Sequence, residues 1–274
     1  MVERTNKKKI DLHEVRTIQM DITEAFHHFC VKNGIKYSLG CGSLLGAIRH
    51  NGYIPWDDDI DVYLKREDYE KLVQLFPSRL NDRYAFISLE RDKTWNKPYG
   101  KIYDDRTLLI EPLGKLGIQL GINIDVFPID FVPENGIKWK CYDKVRRFLQ
   151  YSVTAKTTRL RKNRKLSLNI LVILLKALWF FFPVRQLGKL CDYFAQIYNG
   201  KEKKYLFETS QGERLKEPFL ASAFDEVSLH DFEDRKFYVM SGYDEYLSKA
   251  YGNYMQLPPE EKRYTHNIID AYWL

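Results

Sequence analysis

The chain has 274 residues and only four cysteines, Cys30, Cys41, Cys141 and Cys191. They are scattered, with no Cys-x-x-Cys pair, which argues against a disulfide scaffold or a thiolate zinc site and for a reducing compartment. There is no GxxxxGK[ST] string, so the protein is not a P-loop enzyme. The main apolar run, residues 168–182, is broken by Lys176 and closed by Pro183. It is shorter than the ~20 residues that a spanning helix needs. The polar, basic residues 1–9 are followed by no apolar h-region, so no secretory signal is expected. Repeats, collagen-like periodicity and low-complexity tracts are absent. So is any recognised nucleic-acid-binding motif, and nucleic acid is not an expected partner.

What is present centres on residues 37–64, YSLGCGSLLGAIRHNGYIPWDDDIDVYL. Asp57, Asp58 and Asp59 are consecutive and Asp61 follows. If residues 59–64 are extended, Asp59 and Asp61 point to one face and Ile60, Val62 and Leu64 to the other. Like charges so close repel, and one pKa rises unless a cation intervenes. Mg²⁺ is the expected cation, held through carboxylates and substrate phosphates, with Mn²⁺ as the alternative ion. A solvated acidic turn before an ordinary strand is the competing reading of this string. Upstream, Gly40-Cys-Gly-Ser43 separates an apolar strand candidate at 35–39 from a short helix containing Leu44, Leu45, Ala47 and Ile48. A helix N-terminus offers N–H groups to phosphate. The same residues also fit a plain helix start with Ser43 as N-cap. Strand, Gly-Ser turn, helix and DxD strand in that order favour a phosphate grip beside a metal site.

Gly40-x-Gly-Ser43 followed by DxD resembles the nucleotidyltransferase (polymerase-β-like) superfamily. The longer string at 42–62 resembles the LicD family of phosphocholine transferases, which is related to the fukutin-type phospho-alcohol transferases. The likeness continues through Lys101-Ile102, IDVFPID at 124–130 and YDEYLSKAYGNYMQLPPEEKR at 243–263, with residues 138–206 the least matched. The resemblance implies an α+β fold: a nucleotidyltransferase-like mixed β-sheet flanked by helices, with a helical insertion. It also implies transfer of a phospho-alcohol group from a CDP-alcohol, CDP-choline being suspected, to a glycan or lipid-linked glycan. It further implies a third carboxylate from a neighbouring strand, for which Asp125 is the first candidate and Asp130, beyond a break at Pro128, the second. Asp59, Asp61 and Asp125 are thus the expected catalytic and metal-binding set, with Gly42, Ser43, Lys101, Arg263 and His266 as substrate contacts. Lys101 also reads as a solvated strand lysine, and Arg263 and His266 as part of a solvated turn.

Along the chain, Leu12, Val15, Ile18, Ile22, Phe26 and Phe29 predict a helix with one buried face, ended by Asn33-Gly34. His27 and His28 near its end read as surface or core residues rather than ligands. A second amphipathic helix is expected at 66–76. Strands are expected at 84–89, 99–103, 108–110 and 118–127, with Asp104-Asp105-Arg106 as a hairpin turn. Residues 138–165 carry eleven basic side chains and one acidic, a local +10 in a chain of net +6, so the remainder sums to −4. Basic residues followed by an apolar run fit a membrane-surface helix, and a buried helix is the alternative. The acidic residues Asp225, Glu226, Asp231, Glu233 and Asp234 read as surface rather than as a second metal cluster. The expected division is a catalytic core at 1–137, a basic and apolar helical segment at 138–206, and a C-terminal part at 207–274 completing the catalytic domain.

The expected reaction is Mg-dependent transfer of a phospho-alcohol with release of CMP, by a cytoplasmic protein peripheral at the membrane face. Two alternatives stand beside it: a nucleotidyltransferase that releases pyrophosphate from an NTP, and a non-catalytic membrane-associated glycan-binding protein. A choline headgroup calls for aromatic faces, and Trp56, Tyr63, Trp95, Tyr99 and Tyr103 lie near the motif. Aromatics make up 15% of the chain, so packing explains them equally well.

Overall fold

The computed structural model describes residues 7–110, 118–134, 136–160, 165–201, 204–210, 215–263 and 270–274. In chain order the elements are β1 (Lys9–Ile10), α1 (Leu12–Asn33), β2 (Ser38–Leu39), α2 (Cys41–His50), β3 (Asp61–Lys65), α3 (Arg66–Leu75), β4 (Tyr84–Ile87), β5 (Gly100–Asp104), β6 (Thr107–Ile110) and β7 (Asn123–Phe131). There follow α4 (Ile137–Thr157), α5 (Leu166–Leu178), α6 (Val184–Ala195), β8 (Tyr205–Glu208), β9 (Phe219–Leu220), β10 (Val227–Phe232), β11 (Arg235–Met240), α7 (Tyr243–Tyr251) and β12 (Asp270–Trp273).

Helix α1 begins where the Asp11 carboxylate accepts the Glu14 N–H at 2.8 Å. It ends where Gly34 takes the left-handed conformation (φ 59°, ψ 41°) and returns its N–H to Cys30 and Val31. This is the stop that Asn33-Gly34 predicts. Val15, Ile18, Ile22 and Phe26 are buried along its inner stripe. His27 is a packing residue, its Nδ1 2.8 Å from the Tyr37 hydroxyl. Burial holds its pKa below the usual histidine value.

The main sheet is mixed, in the order β2-β3-β7-β5-β4, with β8 also on β7 and β9 on β8. Strands β3 and β7 run parallel and the other pairs antiparallel. The architecture is α+β, a mixed sheet flanked by helices. Even-numbered residues of β3 and β7 share one face, on which Phe86 of β4 meets Tyr69 and Phe76 from the α3 segment. Phe29 of α1 meets Phe76 beside them, which places α1 and α3 on this face. Odd-numbered Tyr63 faces the other way, against Tyr246 of α7 and Cys41 of α2. One core cluster reaches from Ile10 to Ala271, and a smaller one of Leu149, Val153, Leu187 and Cys191 joins α4 to α6.

Three expectations change. Strand β3 begins at Asp61, so Asp59 lies in the loop that leads into it. The Asp105-Arg106 turn forms, but β5 and β6 make no hairpin: β6 pairs with β12 in a separate sheet, β1-β12-β6. Strand β7 starts later than expected and runs straight through Pro128. The Asp125 N–H points to β3, where Ile60 accepts it at 2.9 Å, so alternation points the position of the missing Pro128 N–H to the opposite edge. On that edge Gly100, the first residue of β5, faces Val126 and Glu208, the last residue of β8, faces Ile129, so the proline falls in the gap between two ladders.

Candidate active site

The register of three strands builds the floor of the site. Asp61 is the parallel partner of Asp125, and Lys101 is the antiparallel partner of Asp125. Directly paired residues project to the same face, so the three side chains form one row across β3, β7 and β5. Lys101 is buried, and its Nζ lies 2.5 Å from Asp125 Oδ1 and 2.9 Å from Asn123 Oδ1. The lysine is therefore not a solvated strand residue; it is the counter-charge of Asp125.

The loop that carries Asp57, Asp58 and Asp59 is held from behind by its own backbone. Asn51 ends α2 in the left-handed conformation (φ 55°). Glu233, at the tip of the β10–β11 hairpin, accepts the Tyr53 N–H at 2.9 Å and donates its own N–H to the Asn51 carbonyl at 2.8 Å. From α1, Arg16 donates to the carbonyls of Pro55 (3.0 Å) and Asp57 (2.6 Å), and Gln19 donates to that of Asp58 (3.0 Å). Oxygens of Asp57, Asp58 and Asp59 lie within 4.8 Å of one another. Burial, followed by the charges of Asp61, Asp57, Asp125 and Asp58, pushes the Asp59 carboxyl well above the usual carboxylate range. The predicted trio of Asp59, Asp61 and Asp125 thus converges, and Asp57 and Asp58 join it.

Helix α2 abuts the same carboxylates. Its N-cap is Gly40, not Ser43, and Gly40 donates its N–H to the Asp61 carbonyl at 2.8 Å. Ser43 Oγ accepts the Asp61 N–H at 2.9 Å. Gly42 leaves room for Asp57: a Cβ there would lie 2.4 Å from Asp57 Oδ2. Cys41 holds a left-handed backbone (φ 43°), a conformation costly for a residue with a side chain. Its Sγ is 2.9 Å from the Tyr63 hydroxyl, which is 3.0 Å from that of Tyr246. This chain ties the start of α2 to α7.

A cavity of about 470 Å³ opens beside the cluster, lined among others by Arg49, Trp56, Asp57, Tyr251, Tyr254 and Pro258. Asp57 belongs to both the cavity and the carboxylate group. Arg49 is fixed by donating to the Tyr254 carbonyl at 2.6 Å. The Arg263 guanidinium stands 5.5 Å from the Trp56 ring centre and its Nε donates to the Pro258 carbonyl at 2.8 Å, which puts it at the cavity rim. His266 lies outside the described residues. Of the five aromatics near the motif, Trp56 alone is among the cavity's lining residues; Tyr63, Trp95 and Tyr99 are buried elsewhere, and Lys97 stands 5.2 Å from the rings of both Trp95 and Tyr99.

Asp130 is not part of the site. It is five residues from Asp125 on a continuous strand, hence on the opposite face. There it receives two bonds from Arg66, at 2.7 and 2.6 Å, and one each from Asn199 (2.7 Å) and Thr209 (3.0 Å). The acidic tail residues are also structural: Asp225 pairs with Lys65, Asp231 with Lys236, and Glu233 braces the loop. Sequence reasoning missed Arg16, Gln19, Arg49 and Glu233. Arg49 lies inside the motif string at 42–62; the others carry no local signal.

The fold and the row of carboxylates define a nucleotidyltransferase-like enzyme. Residues 34–151 match the family model for the LicD/FKTN/FKRP nucleotidyltransferase domain. The chain is 34% identical over 284 aligned residues, 97% of its length and 100% of the relative's, to a Haemophilus influenzae protein named lipopolysaccharide cholinephosphotransferase LicD. Over 108 residues, 39% of this chain and 19% of the relative, it is 50% identical to the human and mouse proteins named ribitol 5-phosphate transferase FKRP. The chain belongs to the LicD family and is a LicD-type phosphotransferase.

Proposed function

We propose that the protein transfers phosphocholine from CDP-choline to a cell-surface glycan and releases CMP, with Mg²⁺ bound at the carboxylate cluster. The observation that carries this reading is the meeting of Asp57, Asp59, Asp61 and Asp125, with Asp57 also lining a cavity bounded by Arg49, Trp56 and two tyrosines. The donor set fits the ion: all are hard carboxylate oxygens, and Asp59, its pKa raised by burial and then by the neighbouring carboxylates, sits where a divalent cation would relieve the repulsion. Asp57, Asp59 and Asp61 would hold it, and Mg²⁺ in that place would supply charge neutralisation and alignment for the donor diphosphate.

The chain's own groups supply the rest. Backbone N–H groups of the first turn of α2, at Gly42 and Ser43, face the phosphate bearing the alcohol. Arg263 closes the rim toward the donor, with His266 following it in sequence, and Trp56 offers its face to the quaternary ammonium. Lys101 holds Asp125 in place, and Asp125 receives the proton of the attacking glycan hydroxyl. A bond forms from that oxygen to the phosphorus bearing choline, and the bond from this phosphorus to the bridging oxygen breaks. The electron pair leaves with CMP. Positioning and charge neutralisation account for most catalysis of this type. The acceptor is lipid-linked, and the protein meets it as a peripheral protein at the cytoplasmic membrane face.

Product analysis tests the reaction. With Mg²⁺, a lipid-linked glycan fraction and CDP-choline, CDP-ribitol or CDP-glycerol in turn, CMP should appear in step with phosphocholine-modified glycan for CDP-choline. Pyrophosphate released from an NTP would show a nucleotidyltransferase instead. Preference for CDP-ribitol or CDP-glycerol would retain the transfer and change the alcohol.

A further inference from the structure

The largest departure from ordinary surface chemistry lies far in sequence from the carboxylates. Ten large apolar side chains between Leu166 and Phe182 are exposed. Among the described residues of α5, only Leu175 is buried. Leu166, Ile170, Ile173, Leu174 and Leu178 fall at helical spacing on one side, with Leu166 75% and Leu174 60% exposed. Phe181, in the turn beyond, is 94% exposed. A surface helix normally turns such a stripe inward; here it faces out.

The arrangement is built. Lys156 of α4 donates to the carbonyls of Trp179 (2.5 Å) and Phe182, closing the last turn of α5. The Trp179 ring packs near Phe182 (5.3 Å) and Phe148 (6.4 Å). Phe180 and Phe181, held edge to face at 5.0 Å, project from this turn. Exposed basic side chains flank the start of α5 at Arg159 and Lys165, and Lys138, Lys140 and Lys144 are exposed in the first turns of α4. The one acid of this segment, Asp143, is already paired with Arg146 and Arg147. No helix among the described residues is long and apolar enough to cross a membrane.

We infer that α5 and the Phe180–Phe182 turn form a docking surface that lies in the interface of an anionic lipid bilayer, with Arg159 and Lys165 at the headgroups. An apolar helix in the acyl boundary beside cations at the phosphates is the arrangement that holds an interfacial helix. A second copy of the chain is the poorer occupant, since it would bring the Arg159 and Lys165 cations of two chains together, and the one acid of residues 138–165, Asp143, is already paired. The inference names the partner of the membrane reading above. It stands on its own observations, and its test contains neither donor nor acceptor, so its failure and that of the proposed reaction are separable.

Flotation of the full-length protein through a density gradient decides it. With vesicles of equal phosphatidylcholine and phosphatidylglycerol at low salt, the protein should rise with the lipid. With pure phosphatidylcholine it should stay below, and added salt should return it to the bottom. Ile173→Asp with Leu174→Asp should abolish flotation with an unchanged thermal melt, since both side chains are exposed. Arg159→Gln and Lys165→Gln should each weaken binding by about fivefold. Wild-type protein that stays at the bottom with anionic vesicles at low salt overturns the inference, as does equal flotation by the aspartate variant. A dimer seen by light scattering, split by the aspartate pair and blind to vesicles, would assign α5 to a second copy.

Discussion

Replacing Asp59 by asparagine keeps the size of the side chain and removes one negative charge from the centre of the cluster. Oxygens of Asp57, Asp58 and Asp59 lie within 4.8 Å of one another. At that separation two unit charges repel by about 3.5 kcal/mol at an effective dielectric of about 20. Asp59 is half-buried, and screening by solvent reduces the realised gain to about 1–2 kcal/mol. In a chain of this size that corresponds to a rise in melting temperature of roughly 3–6 °C in EDTA. The sign depends on pH. Because the folded Asp59 pKa lies well above its ordinary value of 3.8, the native state keeps a proton that the unfolded chain has released. This contribution to stability is complete below about 3.8 and is lost as pH rises through the raised value. The advantage of Asp59→Asn in EDTA should therefore grow between acid and neutral pH. Saturating Mg²⁺ should reverse the order, adding about 2.7 kcal/mol to the wild type at a hundredfold excess over Kd and little to the variant. Differential scanning fluorimetry across pH, with EDTA or Mg²⁺, reads all four states. A lower melting temperature for the variant in EDTA at neutral pH, or equal stabilisation of both proteins by Mg²⁺, would rule out a self-repelling, metal-binding cluster at Asp59.

Lys101→Met should destabilise the fold by about 3 kcal/mol, because it leaves Asp125 beside the other carboxylates without its cation; adding Asp125→Asn should restore much of the loss, measured by urea denaturation of the double-mutant cycle. Asp125→Asn alone should lower kcat far more than it changes KM, whereas Asp130→Asn should cost about 1–3 kcal/mol of stability by weakening the bonds from Arg66, which keeps Asp192 at 2.9 Å, while the folded fraction retains turnover. Trp56→Ala should raise KM for a choline donor by about fivefold or more with a smaller effect on a glycerol donor, a split that steady-state kinetics on the two donors resolves.

The central string was legible because its parts are local. WDDDID places carboxylates at the entrance to an apolar strand, and Gly40 to Ser43 open a helix within the same 28 residues. The stop of α1 at Gly34 was equally local. Lys101 was not legible: its partner Asp125 is fixed by strand register 24 positions away. Asp130 was misread through Pro128, taken as a break when the strand passes the proline at a gap between β5 and β8. Only a continuous strand puts Asp125 and Asp130 on opposite faces. Arg16, Gln19 and Glu233 act on the aspartate loop through long-range hydrogen bonds that no spacing encodes. For α5, apolar residues on nearly every side left burial and exposure equally consistent with the pattern, and only tertiary packing separates them.

In the proposed reaction a metal ion is shared by the aspartate cluster and the donor diphosphate. Pulsed EPR of Mn²⁺ with the protein and CDP-choline measures this directly. Protein-bound Mn²⁺ should show phosphorus hyperfine coupling from the diphosphate, lost in Asp59→Asn. A spectrum unchanged by the protein, or the same CDP-choline affinity in EDTA as with the metal, would contradict it.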